Sequence, residues 1–133
     1  MRNVFILEDD PNRCFSFIKY FIKDNVTLTN NAERAVHLLQ NVVYDVILLD
    51  HDLGGEVYVD PTEPNTGSRV CRELTLNNML LTVPLNMNTQ FIIHSMNNTA
   101  SIGMMNTLIS KGFKNVVYCP FSKELFDRIE RTI

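Results

Sequence analysis

The chain has no apolar run approaching the roughly 20 residues that cross a bilayer, which excludes a membrane-spanning helix. Its first residues, Met1-Arg2-Asn3, lead straight into an apolar segment with no small-residue cleavage site, so no secretory signal is expected. The cysteines are few, odd in number and far apart: Cys14, Cys71 and Cys119 give neither a disulfide framework nor a zinc-ligand spacing. That usage fits a reducing, cytoplasmic setting. An excess of positive charge is also missing. A formal net charge of −3 argues against general duplex nucleic-acid binding, which needs clustered Lys and Arg, though it leaves room for one terminal phosphate in a pocket. There is no internal repeat, low-complexity segment or linker. The 133 residues suffice for one domain with a sizeable core, expected to span 1–133.

Strand and helix signals alternate along the whole chain. Val4-Phe5-Ile6-Leu7, Val46-Ile47-Leu48-Leu49, Phe91-Ile92-Ile93 and Val116-Val117-Tyr118 are short apolar runs of the kind buried in a parallel sheet. Val26-Thr27-Leu28 alternates and reads as an edge strand. Between them lie helical stripes. Asp10 and Pro11 read as N-cap and first turn of a helix whose inner face is Cys14, Ile18, Phe21 and Ile22. Asn30 and Glu33 have capping-box spacing ahead of Ala32, Ala35, Val36 and Leu39. Gly67, Val70, Cys71 and Leu74 mark a third helix, and Ile102, Met105, Leu108 and Ile109 a fourth, ended by Gly112. Ser122 caps a last one with Leu125, Phe126 and Ile129 inside. The polar insert from Glu56 to Asn65 is long for a strand-to-helix connection, and is expected to lie over the strand ends and to move more than its flanks. A loose stretch from Asn77 to Gln90 leads to the fourth strand. Five β/α units imply an α/β domain with right-handed crossovers and helices on both faces.

The strand ends carry the chemistry. The first run closes in Glu8-Asp9-Asp10, the third in Asp50-His51-Asp52-Leu53-Gly54-Gly55, the fourth in His94-Ser95-Met96-Asn97. In open α/β sheets ligands bind beyond the carboxyl ends of the strands. If these runs are neighbours, as many as five carboxylates, two imidazoles, a hydroxyl and an amide converge there. Crowded carboxylates repel, and a divalent cation with oxygen ligands relieves that repulsion. Glu8, Asp9 and Asp50 are therefore the candidate metal ligands, with magnesium or manganese the natural occupant. Asp10 is better placed to cap the first helix. Asp50 is also a candidate nucleophile. His51 with Asp52, and His94, are candidates for proton transfer, and His94 can equally ligate a metal. Asn97 and the helix turn after it, and Thr66 with Gly67 at the third helix start, offer N–H donors for a phosphate. Arg13, one turn into the first helix, can reach the same anion. His37 faces solvent by spacing and is given no role.

In this arrangement the chain resembles response-regulator receiver domains. That resemblance implies a single flavodoxin-like domain with a five-stranded parallel sheet in the order 2-1-3-4-5. It also implies an acidic pair at Glu8 and Asp9 that binds magnesium, a phosphoryl acceptor at Asp50 and a hydroxyl residue at Ser95. Two features depart from the receivers. The lysine expected before the proline after strand five is Cys119 here, and His51 and His94 are foreign to ordinary receivers. The chain more closely resembles the cyclic-phosphate processing receiver domains. The likeness lies in Phe5-Ile6-Leu7-Glu8-Asp9-Asp10 with Arg13, in Leu49-Asp50-His51-Asp52-Leu53-Gly54, in Asn65-Thr66-Gly67, and in His94-Ser95-Met96-Asn97 with Met105. Where that group often has a proline and a glycine at the start of helix four, this chain has Asn98, Thr99 and Ala100.

The resemblance implies a hydrolase, a cyclic phosphodiesterase dependent on a divalent metal. Its substrate would be a cyclic phosphate at an RNA end or in a nucleotide. The catalytic residues are expected to be Asp50, His51, Asp52 and His94, with Arg13, Thr66, Gly67, Ser95 and Asn97 on the phosphate. The alternative is a non-catalytic receiver-like module that binds a partner or sequesters a cyclic nucleotide.

Overall fold

The computed structural model describes residues 1–55, 58–75 and 87–129. Strands and helices alternate in it: β1 (Asn3–Leu7), α1 (Pro11–Tyr20), β2 (Asn25–Thr29), α2 (Ala32–Leu39), β3 (Val46–Leu49), α3 (Gly67–Thr75), β4 (Gln90–Ile93), α4 (Asn98–Lys111), β5 (Asn115–Tyr118) and α5 (Lys123–Arg128). The strands pair in parallel in the order β2-β1-β3-β4-β5, the flavodoxin-like arrangement expected from the sequence. Most of the loose stretch, residues 77–86, lies outside the described residues, as do Glu56 and Val57 of the insert.

The period of two along each strand divides the core. Val4, Ile6, Val46, Leu48 and Ile92 face α1 and α5, where they meet Phe17, Phe21 and Leu125. Phe5, Leu7, Ile47, Leu49, Phe91 and Ile93 face the other way, onto Ala35 of α2, Val70 and Leu74 of α3, and Met104 and Leu108 of α4. Full burial of such a side chain stabilises by roughly 1.5–3 kcal/mol, and this sum lets the sheet carry buried ionisable groups that cost several kcal/mol each.

Helix caps follow the side-chain chemistry. Asp10 accepts from the Arg13 N–H with Pro11 in the first turn, as the sequence predicts. The cap of α2 is Asn31, which accepts from the Arg34 N–H at 3.0 Å, and not Asn30. Two helix faces also differ from expectation. On α1 the buried residue is Phe17, with Phe21 just past the helix also buried, while Ile18 and Ile22 are 46% and 73% exposed. Both sides of α1 carry apolar residues, so helical spacing alone does not choose between them. On α4 the inner residues are Ala100, Ser101, Met104 and Leu108, and Ile102 and Ile109 are exposed. Small residues let this helix lie close to the sheet.

One close approach fixes the position of α3. A Cβ at Gly67 would stand 1.9 Å from the Asp50 carbonyl oxygen and 2.7 Å from the Met104 Cε. Only glycine lets the helix start so near the end of β3. The Gly67 N–H donates to the His51 carbonyl at 3.1 Å.

Candidate functional site: a buried row across three strand ends

Strand register builds the centre of the site. Leu7 pairs with Leu49, and Leu49 with Ile93. The ladder runs one step further: the Asp50 N–H donates to the Leu7 carbonyl and the His94 N–H to the Leu49 carbonyl, both at 3.0 Å. Glu8, Asp50 and His94 are thus the next row across β1, β3 and β4. By alternation they lie on the α1 and α5 side, in line with Ile6, Leu48 and Ile92. All three are buried, with relative exposures of 0%, 4% and 0%. One donor atom from each lies within 4.8 Å of the others.

Neighbours pin each side chain. Nε2 of His94 stands 3.0 Å from Oε1 of Glu8, and the Phe17 ring packs edge-on against the imidazole at 5.1 Å. The second Glu8 oxygen accepts from the Asp9 and Asp10 N–H groups at 3.0 and 3.1 Å. Oδ1 of Asp50 accepts from the His51 N–H at 2.8 Å. Nδ1 of His94 is buried, with no hydrogen-bond partner among the described residues.

The two carboxyls diverge in acidity. Burial pushes Asp50 up to about 7; His94 opposes that rise and the Glu8 charge adds to it. Burial also works against ionisation of Glu8. There the hydrogen bond and positive field of His94, the Asp10 N–H and the Arg13 charge prevail and hold the carboxyl at about 2. The row therefore combines one firmly ionised carboxylate with one poised near neutrality.

Arg13 reaches the mouth of the row from α1. Its Nη1 is 3.8 Å from Oε1 of Glu8, its Nε is 3.7 Å from Oδ2 of Asp10, and its guanidinium lies 5.5 Å over the Phe121 ring. Its side chain is 31% exposed, so it meets both the buried carboxylate and solvent. Cys119 follows Tyr118, the partner of Ile93, and so continues the same row on β5 as a small buried residue. No cation is supplied from there.

The remaining candidates hold the loops around the row. Both His51 nitrogens are engaged: Nε2 lies 2.7 Å from the Val59 carbonyl, and Nδ1 lies 2.9 Å from Oγ of Ser68. A carbonyl only accepts, so Nε2 carries the proton and Nδ1 accepts. Asp52 accepts from the Tyr58 and Val59 N–H groups at 3.0 and 2.8 Å, and its Oδ1 is 3.9 Å from Nε2 of His51. His51 and Asp52, the expected acid–base pair, thus both hold the insert. Asp9 does not join the buried row; it accepts from the Gly55 N–H at 2.6 Å. Asn97 caps α4 through the Ala100 N–H and donates to the Val59 carbonyl at 3.3 Å. Ser95 accepts from the Asn97 N–H at 3.0 Å. Thr66 donates to the Glu63 carbonyl and accepts from the Arg69 N–H. The Gly67 N–H, a candidate phosphate donor at the start of α3, is engaged with the His51 carbonyl.

The insert lies on the carboxyl-end side of the sheet, stapled by Asp52, His51 and Asn97. Ser68, the support of His51, was missed in the sequence because a serine inside a helical stripe gives no signal until the loop before it is folded.

The sequence profile of the family described as "Cyclic-phosphate processing Receiver domain" matches residues 4–110. No curated protein matches. Among solved structures, the manganese-bound form of the response regulator Rcp1 superposes with a TM-score of 0.64 at 15% identity, covering 96% of this chain and 88% of that one. A CheY-like receiver domain from Methanospirillum hungatei JF-1 gives 0.64 at 13% identity, with 97% and 90% covered. The receiver domain of the sensor histidine kinase PA1611 from Pseudomonas aeruginosa PAO1, with magnesium in its active-site cleft, gives 0.57 at 21% identity, with 96% and 93% covered.

Proposed function

We propose, for a chain that belongs to the cyclic-phosphate processing receiver domain family, that the buried row opens a cyclic phosphodiester by metal-assisted hydrolysis. The observation that carries this reading is the Glu8–Asp50–His94 row with Arg13 at its mouth. The donor set suits a divalent cation: one atom from each of two carboxylates and an imidazole lies within 4.8 Å of the others, and the Glu8 charge works against ionisation of Asp50 without a cation. An ion held by Glu8 and Asp50 would neutralise phosphate charge and lower the pKa of water.

The chain's own groups do the rest. Arg13, half in solvent, binds a non-bridging phosphate oxygen and orients the ester. The Asp50 carboxylate takes a proton from the attacking water and returns it to the leaving alkoxide. One P–O bond forms to water, one ring P–O bond breaks, and the product is a phosphate monoester. His94 keeps Glu8 in place, and Asp52 holds the insert beside the row's strand ends. The substrate class is a cyclic phosphate at an RNA end or in a nucleotide.

The test is a panel of nucleoside cyclic phosphates and cyclic-phosphate RNA ends, read by phosphorus NMR with and without divalent ions. Conversion to the monoester that stops with chelator is expected. Tight binding without ring opening would replace the enzyme with a sequestering protein. Neither binding nor turnover would defeat both.

A further inference from the structure

We infer that a ring nitrogen of His94 is the third metal ligand, and that the row selects a first-row transition ion over magnesium. The inference deepens the metal-assisted reading and rests on its cation site. Three observations carry it. First, the His94 ring supplies one of the three donor atoms that lie within 4.8 Å of one another. Second, His94 is completely buried, and among the described residues Nδ1 has no hydrogen-bond partner, while Nε2 lies 3.0 Å from Oε1 of Glu8. A buried ring nitrogen left unpaired is costly, and on the neutral ring, the form a cation beside Glu8 would favour, coordination satisfies its lone pair. Third, the cluster is held from outside: Phe17 packs edge-on against the ring, and the Asp9, Asp10 and His51 N–H groups orient the two carboxylates.

Ligand chemistry then sets the preference. Magnesium takes oxygen ligands, keeps several waters and gains little from nitrogen. Manganese(II) and its heavier neighbours accept mixed imidazole and carboxylate sets, with affinity rising along the first row. A row of carboxylates alone would leave the choice to ion size and availability. His94 converts it into a mixed site. His51, with both nitrogens engaged by Val59 and Ser68, cannot take that place without releasing the insert.

The experiment uses the whole chain stripped of metal, with manganese(II) and magnesium as probes. Calorimetric titration should give manganese at least about tenfold tighter than magnesium, the scale on which ligand surroundings alter metal affinity. In His94→Gln, which keeps a hydrogen-bond donor toward Glu8, that ratio should fall by at least about tenfold while magnesium affinity changes little. Pulsed electron paramagnetic resonance of the manganese complex should show nitrogen modulation, lost in His94→Gln. If that variant does not fold, modulation in the unaltered protein decides. Bound manganese without nitrogen modulation, or modulation and ratio that persist in His94→Gln, would overturn the assignment and leave a carboxylate-held cation and its hydrolysis standing. Nitrogen-ligated manganese without turnover of any cyclic phosphate would keep the assignment and remove the hydrolysis. Failure to bind either ion would overturn both the assignment and the metal dependence.

Discussion

Asp50 is in tension with its surroundings, and that tension can be measured. Burial raises its carboxyl from 3.8 to about 7. Below about 3.8 it is protonated in both folded and unfolded chains. Between about 3.8 and about 7 the unfolded chain has lost the proton and the folded one keeps it, so stability falls as pH rises through that window. Glu8 works in the opposite sense: its stabilisation is present above 4.5 and lost as pH falls toward about 2. In chelator, Asp50→Asn should therefore raise stability at neutral pH by roughly 1–3 kcal/mol and flatten the fall between the two values. Urea denaturation across that range measures it, and a variant less stable than the parent at neutral pH would contradict the shift. Gly67 gives a second residue-scale outcome. In Gly67→Ala the new methyl meets the Asp50 carbonyl, so a loss of roughly 3 kcal/mol, at the upper end of overpacking, is expected in the same assay. An unchanged midpoint would deny the close approach. Glu8, Asp50 and His94 were legible in the sequence because each stands directly after an apolar strand run. Asp9 and His51 look equivalent in one dimension. What separates them is alternation, which turns each neighbour of the row off the row's face and toward the loops.

At the scale of elements, the insert is the part most dependent on the predicted motif. Asp52 accepts two of its N–H groups, and His51 and Asn97 approach the Val59 carbonyl. In Asp52→Ala the Tyr58 and Val59 amides should exchange with solvent at least about tenfold faster, since a hydrogen bond to a charged group contributes ~1.5–3 kcal/mol. Exchange measured by NMR at those amides checks this, and unchanged protection would mean that the clamp holds without Asp52. The strain that the clamp maintains is visible at Tyr58, a non-glycine residue with φ of 54°. The sequence placed this segment at the carboxyl ends because it follows β3 directly. It gave no sign of the clamp, which depends on contacts from α3 and from the start of α4. Helix faces were harder to read than helix positions. Ile18, Ile22, Ile102 and Ile109 keep helical spacing yet lie outside, while Phe17, Ala100 and Met104 carry the packing.

At the scale of the molecule, topology brings the row together. The order β2-β1-β3-β4-β5 makes β1, β3 and β4 adjacent, although 86 residues separate Glu8 from His94. Alternating β/α signals made the sheet legible, and the receiver resemblance supplied the strand order. The row itself needs register as well, which apolar runs alone do not specify. Its acids and imidazole occupy the position where a further apolar layer would otherwise sit, with Phe17 of α1 packed against the imidazole and Arg13 beside Glu8. The central claim is that this row opens cyclic phosphates. The most direct measurement is hydrolysis of a nucleoside cyclic phosphate by the manganese-loaded chain, with Asp50→Asn beside it. A phosphate monoester is expected from the parent, with a rate lower by at least about a hundredfold in Asp50→Asn, the scale of lost acid–base assistance. Turnover by Asp50→Asn at the parent's rate would contradict it.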